Sequence, residues 1–312
     1  MGCIDTLSAI KANIESVIVG KSEAIELLLI CLACGGHVLI EDVPGMGKTT
    51  MVSALASSVD CSFNRMQFTP DALPSDVTGF TMFHPVTSEE KFIPGAVMCN
   101  ILLADELNRT SPKTQSALLQ AMQEGIVTID GVTRHLPRPF MVCATQNPVE
   151  LTGTYPLPEA QLDRFLMRIS MGYPDKQHEA AILERNKSHC NTATVTPVAN
   201  AEDVLTIQNS LDSIICASSV VDYIVEIAQK TRHHADITLG ISPRGAIALM
   251  RASMGRALLQ GRAFVLPDDV KAMARHTLCH RLILETQTYT RDSEKIISEI
   301  VRSIPVPVVS GV

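Results

Sequence analysis

A short apolar run, Val38-Leu-Ile, passes through Glu41-Asp-Val-Pro-Gly45-Met-Gly47 into Lys48-Thr49 and a helical pattern that continues to Ser58. That order, apolar run, glycine turn, periodic stretch, demands a strand joined tightly to a helix. The rest of the first half repeats the theme. Strand-like runs at His37–Ile40, Phe63–Phe68, Asn100–Ala104, Phe140–Thr145 and Phe165–Ser170 alternate with helical patterns at Ile4–Val17, Ser22–Cys34, Lys48–Ser58 and Lys113–Glu124. Such alternation predicts an α/β fold with a parallel five-stranded sheet and crossover helices.

Two segments depart from it. Val127–Arg134 alternates around Asp130-Gly131, which signals a hairpin. Thr69–Val97 is too long for a plain connection and rich in Pro, Gly, Asp and Thr, so it should be functional or carry small elements of its own. After Tyr173-Pro174-Asp175 the pattern turns helical: Asp175–Asn186, Asp203–Cys216, Ser219–His233, Ser242–Gly261 and Pro267–Arg281, with no clear central strand. The expected division is an α/β domain over 1–174 and a mostly helical domain over 175–312. The end, Ser303–Val312, reads as extended.

Composition narrows the classes. Of 312 residues 46% are hydrophobic and 19% charged, which fits a folded soluble chain and excludes a disordered one. A net charge of −7 and only 4% aromatics make nucleic acid an unpromising main partner. No run approaches the roughly 18 apolar residues of a membrane span, and no secretory pattern opens the chain. Nine unpaired cysteines suit a reducing cytoplasm. Cys31 and Cys34 form a lone CxxC; with no second pair to complete about four zinc ligands, they read as buried hydrophobes.

The chemistry sits on the glycine turn. Its run, Val43, Pro44, Gly45, Met46, Gly47, Lys48, Thr49 and Thr50, has the strand-to-helix context of a P-loop, where amides and a helix N-terminus hold phosphate. Lys48 would reach the β- and γ-phosphates of ATP, and Thr49 would take a Mg2+ position. The pattern departs in one place: Asp42 stands where its first glycine belongs. That position precedes the amides that grip phosphate. Ile101–Ala104 then ends in Asp105-Glu106, one carboxylate to hold magnesium through water and one to activate the attacking water. Asn147, after the strand run at Phe140–Thr145, either hydrogen-bonds that water or the γ-phosphate, or is a strand-end turn residue.

These pieces resemble the MoxR family of AAA+ ATPases along nearly the whole chain. Gln67-Phe-Thr-Pro-Asp71, Leu73-Pro-Ser-Asp76-Val-Thr-Gly79 and Phe92-Ile-Pro-Gly95 resemble its helix-2 insert. Ala104–Arg109 with Pro112–Glu124, and Ala144-Thr-Gln-Asn-Pro148 with Gly153–Phe165, match its stretches after Walker B. Ile241-Ser-Pro-Arg244, Pro267-Asp-Asp-Val270 and His280-Arg-Leu-Ile-Leu284 resemble its lid. Leu107 stands where isoleucine is commoner.

The resemblance implies a P-loop NTPase (AAA+) αβα core with a helical lid domain. Asn147 falls on sensor 1 and Arg244 on sensor 2, touching the γ-phosphate from the same subunit. Arg164 falls on the arginine finger that reaches a neighbour's nucleotide; alone, it would read as a salt-bridge partner of Asp163. Arg109 and Arg168 stay open for that trans role. Val19 and Gly20 resemble the adenine-lining stretch, and Ile126–Leu136 the pre-sensor-1 hairpin. The family implies a hexameric ring acting with a von Willebrand factor A domain protein on a client. A nucleotide-gated scaffold and a nucleic-acid motor are the competing readings.

Overall fold

The computed structural model describes residues 2–43, 45–83, 90–146, 154–187, 195–285 and 290–307. The first part contains α1 (Cys3–Val17), α2 (Ser22–Ala33), β1 (Val38–Glu41), α3 (Lys48–Ser58), β2 (Phe63–Gln67), α4 (Pro74–Thr78), β3 (Gly79–Phe83) and β4 (Glu90–Pro94). There follow β5 (Ile101–Asp105), α5 (Pro112–Glu124), β6 (Ile126–Ile129), β7 (Val132–His135), β8 (Met141–Gln146), α6 (Glu159–Leu162) and β9 (Met167–Ile169). The C-terminal part holds α7 (Lys176–Lys187), α8 (Ala201–Ser210), α9 (Ser218–Arg232), β10 (Ile237–Leu239), α10 (Pro243–Leu259), α11 (Pro267–Leu278), β11 (Ile283–Leu284) and α12 (Thr290–Ser303).

The main sheet has the order β2-β5-β8-β1-β9, every pairing parallel. Its inner strands are apolar on both faces because both are covered. Val38, Ile40, Ile101, Leu103, Met141 and Cys143 face the cluster built with α1, α2 and α3 and shared with the C-terminal helices. Leu39, Leu102, Ala104, Val142 and Ala144 face the other way, onto Leu118, Leu119, Met122 and Phe165. This is the period-two alternation of a strand.

Helix boundaries follow local chemistry. Ser111 caps α5 by accepting the Thr114 N–H, Pro112 opens it, and Gly125 closes it at φ 65°. At α8, Asn200 accepts from Glu202 and Asp203 while the Asp203 carboxylate accepts from the Asn200 N–H, a reciprocal capping box.

The hairpin expected around Asp130-Gly131 is β6–β7, with φ of 51° and 77° at those residues. The long Thr69–Val97 stretch does carry elements of its own, α4 and the hairpin β3–β4. Elsewhere the expectations need correction. Helix α8 ends at Ser210 rather than near Cys216, because Leu211 and Ile214 turn inward and Ile215 bridges Phe264. The C-terminal part, expected to be mostly helical with no clear central strand, also carries the small antiparallel pair β10–β11. Helix α12 was missed; buried Ile296, Ile297, Ile300 and Val301 give it an apolar stripe at helical spacing.

The C-terminal helices lie against α2. Arg251 of α10 donates to the Cys34 carbonyl, the Cys34 thiol donates to the Arg251 carbonyl, and Gln208 of α8 donates to the Leu32 carbonyl. Burial pushes the Cys34 thiol up to about 12, consistent with an inert core residue. Among the described residues no cluster of His, Cys, Asp and Glu is fit to hold a metal alone, and no helix is long and apolar enough to cross a membrane.

His37 fastens the amino end of the sheet. Its Nδ1 accepts the Val142 N–H at 3.0 Å, so Nε2 carries the proton and donates to the Met122 carbonyl at 3.1 Å. Burial pushes this imidazole from 6.5 down to about 4. Between those values the unfolded chain binds the extra proton, so stability is full above pH 6.5 and lost as pH falls toward 4. Denaturant unfolding at pH 7 and pH 5 should therefore show a loss of about 2 kcal/mol from His37 alone. Equal stability at the two values would contradict the buried neutral ring.

Candidate functional site

Parallel strands bring all their carboxyl ends to one edge, where ligands of such sheets bind. Here that edge carries the turn after β1, Gln67 ending β2, Asp105 ending β5 and Gln146 ending β8. A cleft of about 410 Å³ opens there. Gly45, Met46, Gly47, Lys48, Thr49 and Thr50 form one wall, and Arg65, Gln67, Asp105 and Glu106 the other. The phosphate-type turn and the acidic pair read from the sequence thus meet across one space. Val43 leads into the turn; Pro44 and Asn147 lie outside the described residues.

Gly45 and Gly47 both hold φ 85°, which an L side chain rarely adopts. Gly47 sits at the N-cap of α3 with no side-chain cap, so the first-turn amides remain open to an anion. The Lys48 ammonium donates to the Asp42 carbonyl at 3.0 Å.

Three residues that sequence reasoning left out of the site organise the acidic pair. Thr145, fully buried on β8, donates to Asp105 Oδ1 at 2.6 Å and accepts the Glu106 N–H at 2.9 Å. Arg65 holds the other Asp105 oxygen at 2.8 Å. Gln67, paired in register with Asp105, donates to Glu106 Oε2 at 2.6 Å, and Arg109 adds an ion pair at 3.0 Å. Glu106 itself has φ 56°, a left-handed conformation uncommon for a non-glycine residue. The signal available beforehand was a polar residue at each of several strand ends.

Asp42 faces other work. Its carboxylate accepts the Met171 N–H, the Gly172 N–H at 3.2 Å and the Ser170 hydroxyl at 3.1 Å. Lys21 donates to the carbonyls of Met171 and Gly172, at 2.8 Å and 2.6 Å. Burial lowers the Lys21 pKa, partly offset by Asp42. Together they tie the P-loop to the chain leaving β9. Val19 and Gly20 lie just before this lysine. The preceding Ile18 would touch a Cβ placed at Gly47, and a Cβ at Gly20 would strike the His178 ring of α7 at 2.4 Å. The adenine-type stretch is therefore beside the P-loop.

The arginines divide. Arg164 and Arg244 line a second cavity of about 290 Å³ with Gly36, His37, Leu166 and Arg251. Gly36 and His37 precede β1 and Leu166 precedes β9, so this cavity is at the amino edge of the sheet. Four residues of strand separate the edges, roughly 13 Å of rise. Arg244 therefore groups with Arg164, away from the P-loop cleft of its own chain. The contact expected from Arg244 to a phosphate in the same subunit is not the arrangement found, because α10 packs on α2 at the opposite edge.

Nor does Arg164 pair with Asp163, whose carboxylate takes Arg281 at 2.7 Å and Ser242 at 3.2 Å. Arg168 is spent inside the chain, on Glu41 at 3.3 Å and Glu294 at 3.6 Å.

A glycine turn on a helix N-terminus, facing a strand-end acidic pair at the carboxyl edge of this sheet, defines a P-loop nucleoside triphosphatase fold. Residues 37–167 match the family model of the ATPase family associated with various cellular activities (AAA), and residues 229–302 match the AAA lid domain. The chain is 37% identical to Chaperone MoxR1 of Mycobacterium tuberculosis, over 99% of this chain and 84% of that one. It is 51% identical to the uncharacterized protein YeaC of Bacillus subtilis, over 95% and 93% of the two chains. A crystal structure of a Cytophaga hutchinsonii protein assigned to the ATPases superposes with a TM-score of 0.88 at 40% identity, covering 98% of this chain and 96% of that one. The chain belongs to the MoxR family of AAA+ ATPases, with a C-terminal lid.

Replacing Asp42 by the glycine of the commoner P-loop pattern should harm the protein. Two amides, of Met171 and Gly172, would lose their acceptor, at a cost of about 2–4 kcal/mol of stability. Denaturant midpoints of Asp42→Gly against the parent check this; an unchanged or higher midpoint would contradict the tie.

Proposed function

We propose that this chain is a magnesium-dependent ATP hydrolase working as a ring, each site shared by two neighbouring copies. The observation that carries the reading is the separation of the P-loop cleft from the Arg164–Arg244 cavity on opposite edges of one sheet. A second copy docked head to tail would set the amino edge of one sheet on the carboxyl edge of the next. Such heterologous contacts close into rings when the rotation permits. A hexamer is the closure that family membership suggests.

In this reading the amides of Gly45 to Thr50 and Lys48 bind the ATP phosphates, and Val19 and Gly20 flank the adenine. Thr49 and Asp105 suit magnesium, which keeps several waters and takes one or two protein oxygens beside phosphate oxygens. When bound, the ion would neutralise phosphate charge. Glu106 orients and deprotonates water, with Asn147 assigned to the same water or the γ-phosphate. The neighbour's Arg164 and Arg244 meet charge developing on the transferred group.

A second reading has one observation behind it. Gln67 and Arg109 occupy a Glu106 oxygen, which supports slow turnover until that contact opens. The output is remodelling of a client protein in the cytoplasm, with a von Willebrand factor A domain protein as partner. Parts 1–174 and 175–312 move against each other as nucleotide changes. The hairpin β3–β4 supports a client-facing role, since it exposes Phe80, Met82 and Phe83. Arg134 stacking on Phe92 at 4.1 Å couples that hairpin to β6–β7. The acidic charge and scarce aromatics speak against a nucleic-acid motor.

Calorimetry with magnesium and ATP should give binding that Lys48→Ala abolishes. Glu106→Gln should keep the binding while turnover falls about 10^2–10^4-fold. Heat of binding unchanged in Lys48→Ala, or turnover unchanged in Glu106→Gln, would overturn the hydrolase reading. Turnover per chain should rise with protein concentration, and Arg164→Ala should lose about 10^3–10^5-fold. Concentration-independent turnover by a monomer would overturn the shared site.

A further inference from the structure

We propose that Arg281 is the positioning residue of the finger, gripping the main chain on both sides of Arg164 so that the lid sets the finger's aim. The inference rests on the reading above that Arg164 acts on a neighbour's nucleotide.

Arg281 follows α11 in a short 3-10 turn and is only 5% exposed. Its Nε donates to Asp163 Oδ1 at 2.7 Å, Nη2 to the Phe165 carbonyl at 2.5 Å, and Nη1 to the Leu166 carbonyl at 3.3 Å. Nη2 also reaches the Asp163 carbonyl at 3.4 Å, and Nη1 the carbonyl of Thr277 in the preceding helix α11. Residues 163, 165 and 166 are therefore all held by one lid side chain, and 164 is bracketed between them. A guanidinium buried this deeply is tolerated only when its donors are matched, and its flat fork suits several fixed acceptors.

The same carboxylate reaches the second arginine. Asp163 Oδ2 accepts the Ser242 hydroxyl at 3.2 Å, and Ser242 caps α10 by accepting the Gly245 N–H at 3.2 Å. Arg244 stands inside that first turn. Arg281, Asp163 and Ser242 thereby fix the starting points of Arg164 and Arg244 relative to each other. Arg164 itself is not tied down: its Nε is a buried donor without a partner among the described residues, and the side chain lines the open cavity. The backbone is clamped and the head group is left for use. Lid motion would pass through Arg281 to the finger, and so to the adjoining copy's site.

The test uses the whole assembled protein. Arg281→Gln should bind ATP with the parent affinity, because its own P-loop lies at the other edge, and should assemble normally. Its kcat should fall about 10^2-fold, the scale of a misplaced catalytic group, with KM changed little. Arg281→Lys keeps the charge but not the fork and should fare no better. Mixing Arg281→Gln with Lys48→Ala, which supplies sound fingers, should restore activity at about a quarter of interfaces in an equal random mixture.

Parent-like kcat in Arg281→Gln would overturn the proposal, as would loss of its ATP binding, which would mark a general structural role. Failure of Lys48→Ala to rescue Arg281→Gln while rescuing Arg164→Ala would also overturn it, leaving the trans finger intact. Failure to rescue Arg164→Ala as well would instead bring down the shared-site reading beneath it.

Discussion

Strand polarity governs this molecule. Five parallel strands send their carboxyl ends to one edge and their amino ends to the other. The turn after β1, Asp105 and Glu106 take the carboxyl edge; His37, Arg164 and the start of α10 take the amino edge. In the proposed shared site, a cationic group that serves a triphosphate but is fixed at the far edge would come from another copy. On that proposal assembly becomes a condition of the chemistry, each copy carrying two half-sites that face apart.

Buried polar ties hold those half-sites in place. Thr145 registers Asp105 with Glu106, Asp42 and Lys21 join the P-loop to the chain leaving β9, and Arg281 holds the segment around Arg164. Buried charges of this kind contribute little net stability, but breaking one partner leaves the other unpaired at a cost of several kcal/mol. Their effect is to select one geometry. All three ties also cross between segments distant in sequence, so a shift in the lid or the β9 exit would reach the groups proposed for catalysis directly.

Much of this was legible beforehand, and the reasons are physical. The sheet and its crossover helices follow from runs such as Ile101–Ala104, whose apolarity on both faces marks an interior parallel strand. The Asp130-Gly131 hairpin followed from turn chemistry. The P-loop residues and the acidic pair were readable because their spacing along the chain is itself the site. Gln67, Arg65 and Thr145 were not, since their roles depend on which strands are neighbours, and β2-β5-β8 adjacency is a tertiary fact. Arg244 was legible as a residue of the first turn of α10, but not the edge it occupies: the side of the sheet it packs on depends on contacts with α2 made across the whole fold.

The central claim concerns whose arginines face whose triphosphate. A cryo-electron-microscopy structure of the assembly with magnesium and a non-hydrolysable ATP analogue would answer it. The account predicts Lys48 and Thr49 of one copy on the phosphates, with Arg164 and Arg244 arriving together from the adjoining copy. Lys48 and Arg244 of one and the same copy on a single triphosphate would contradict it.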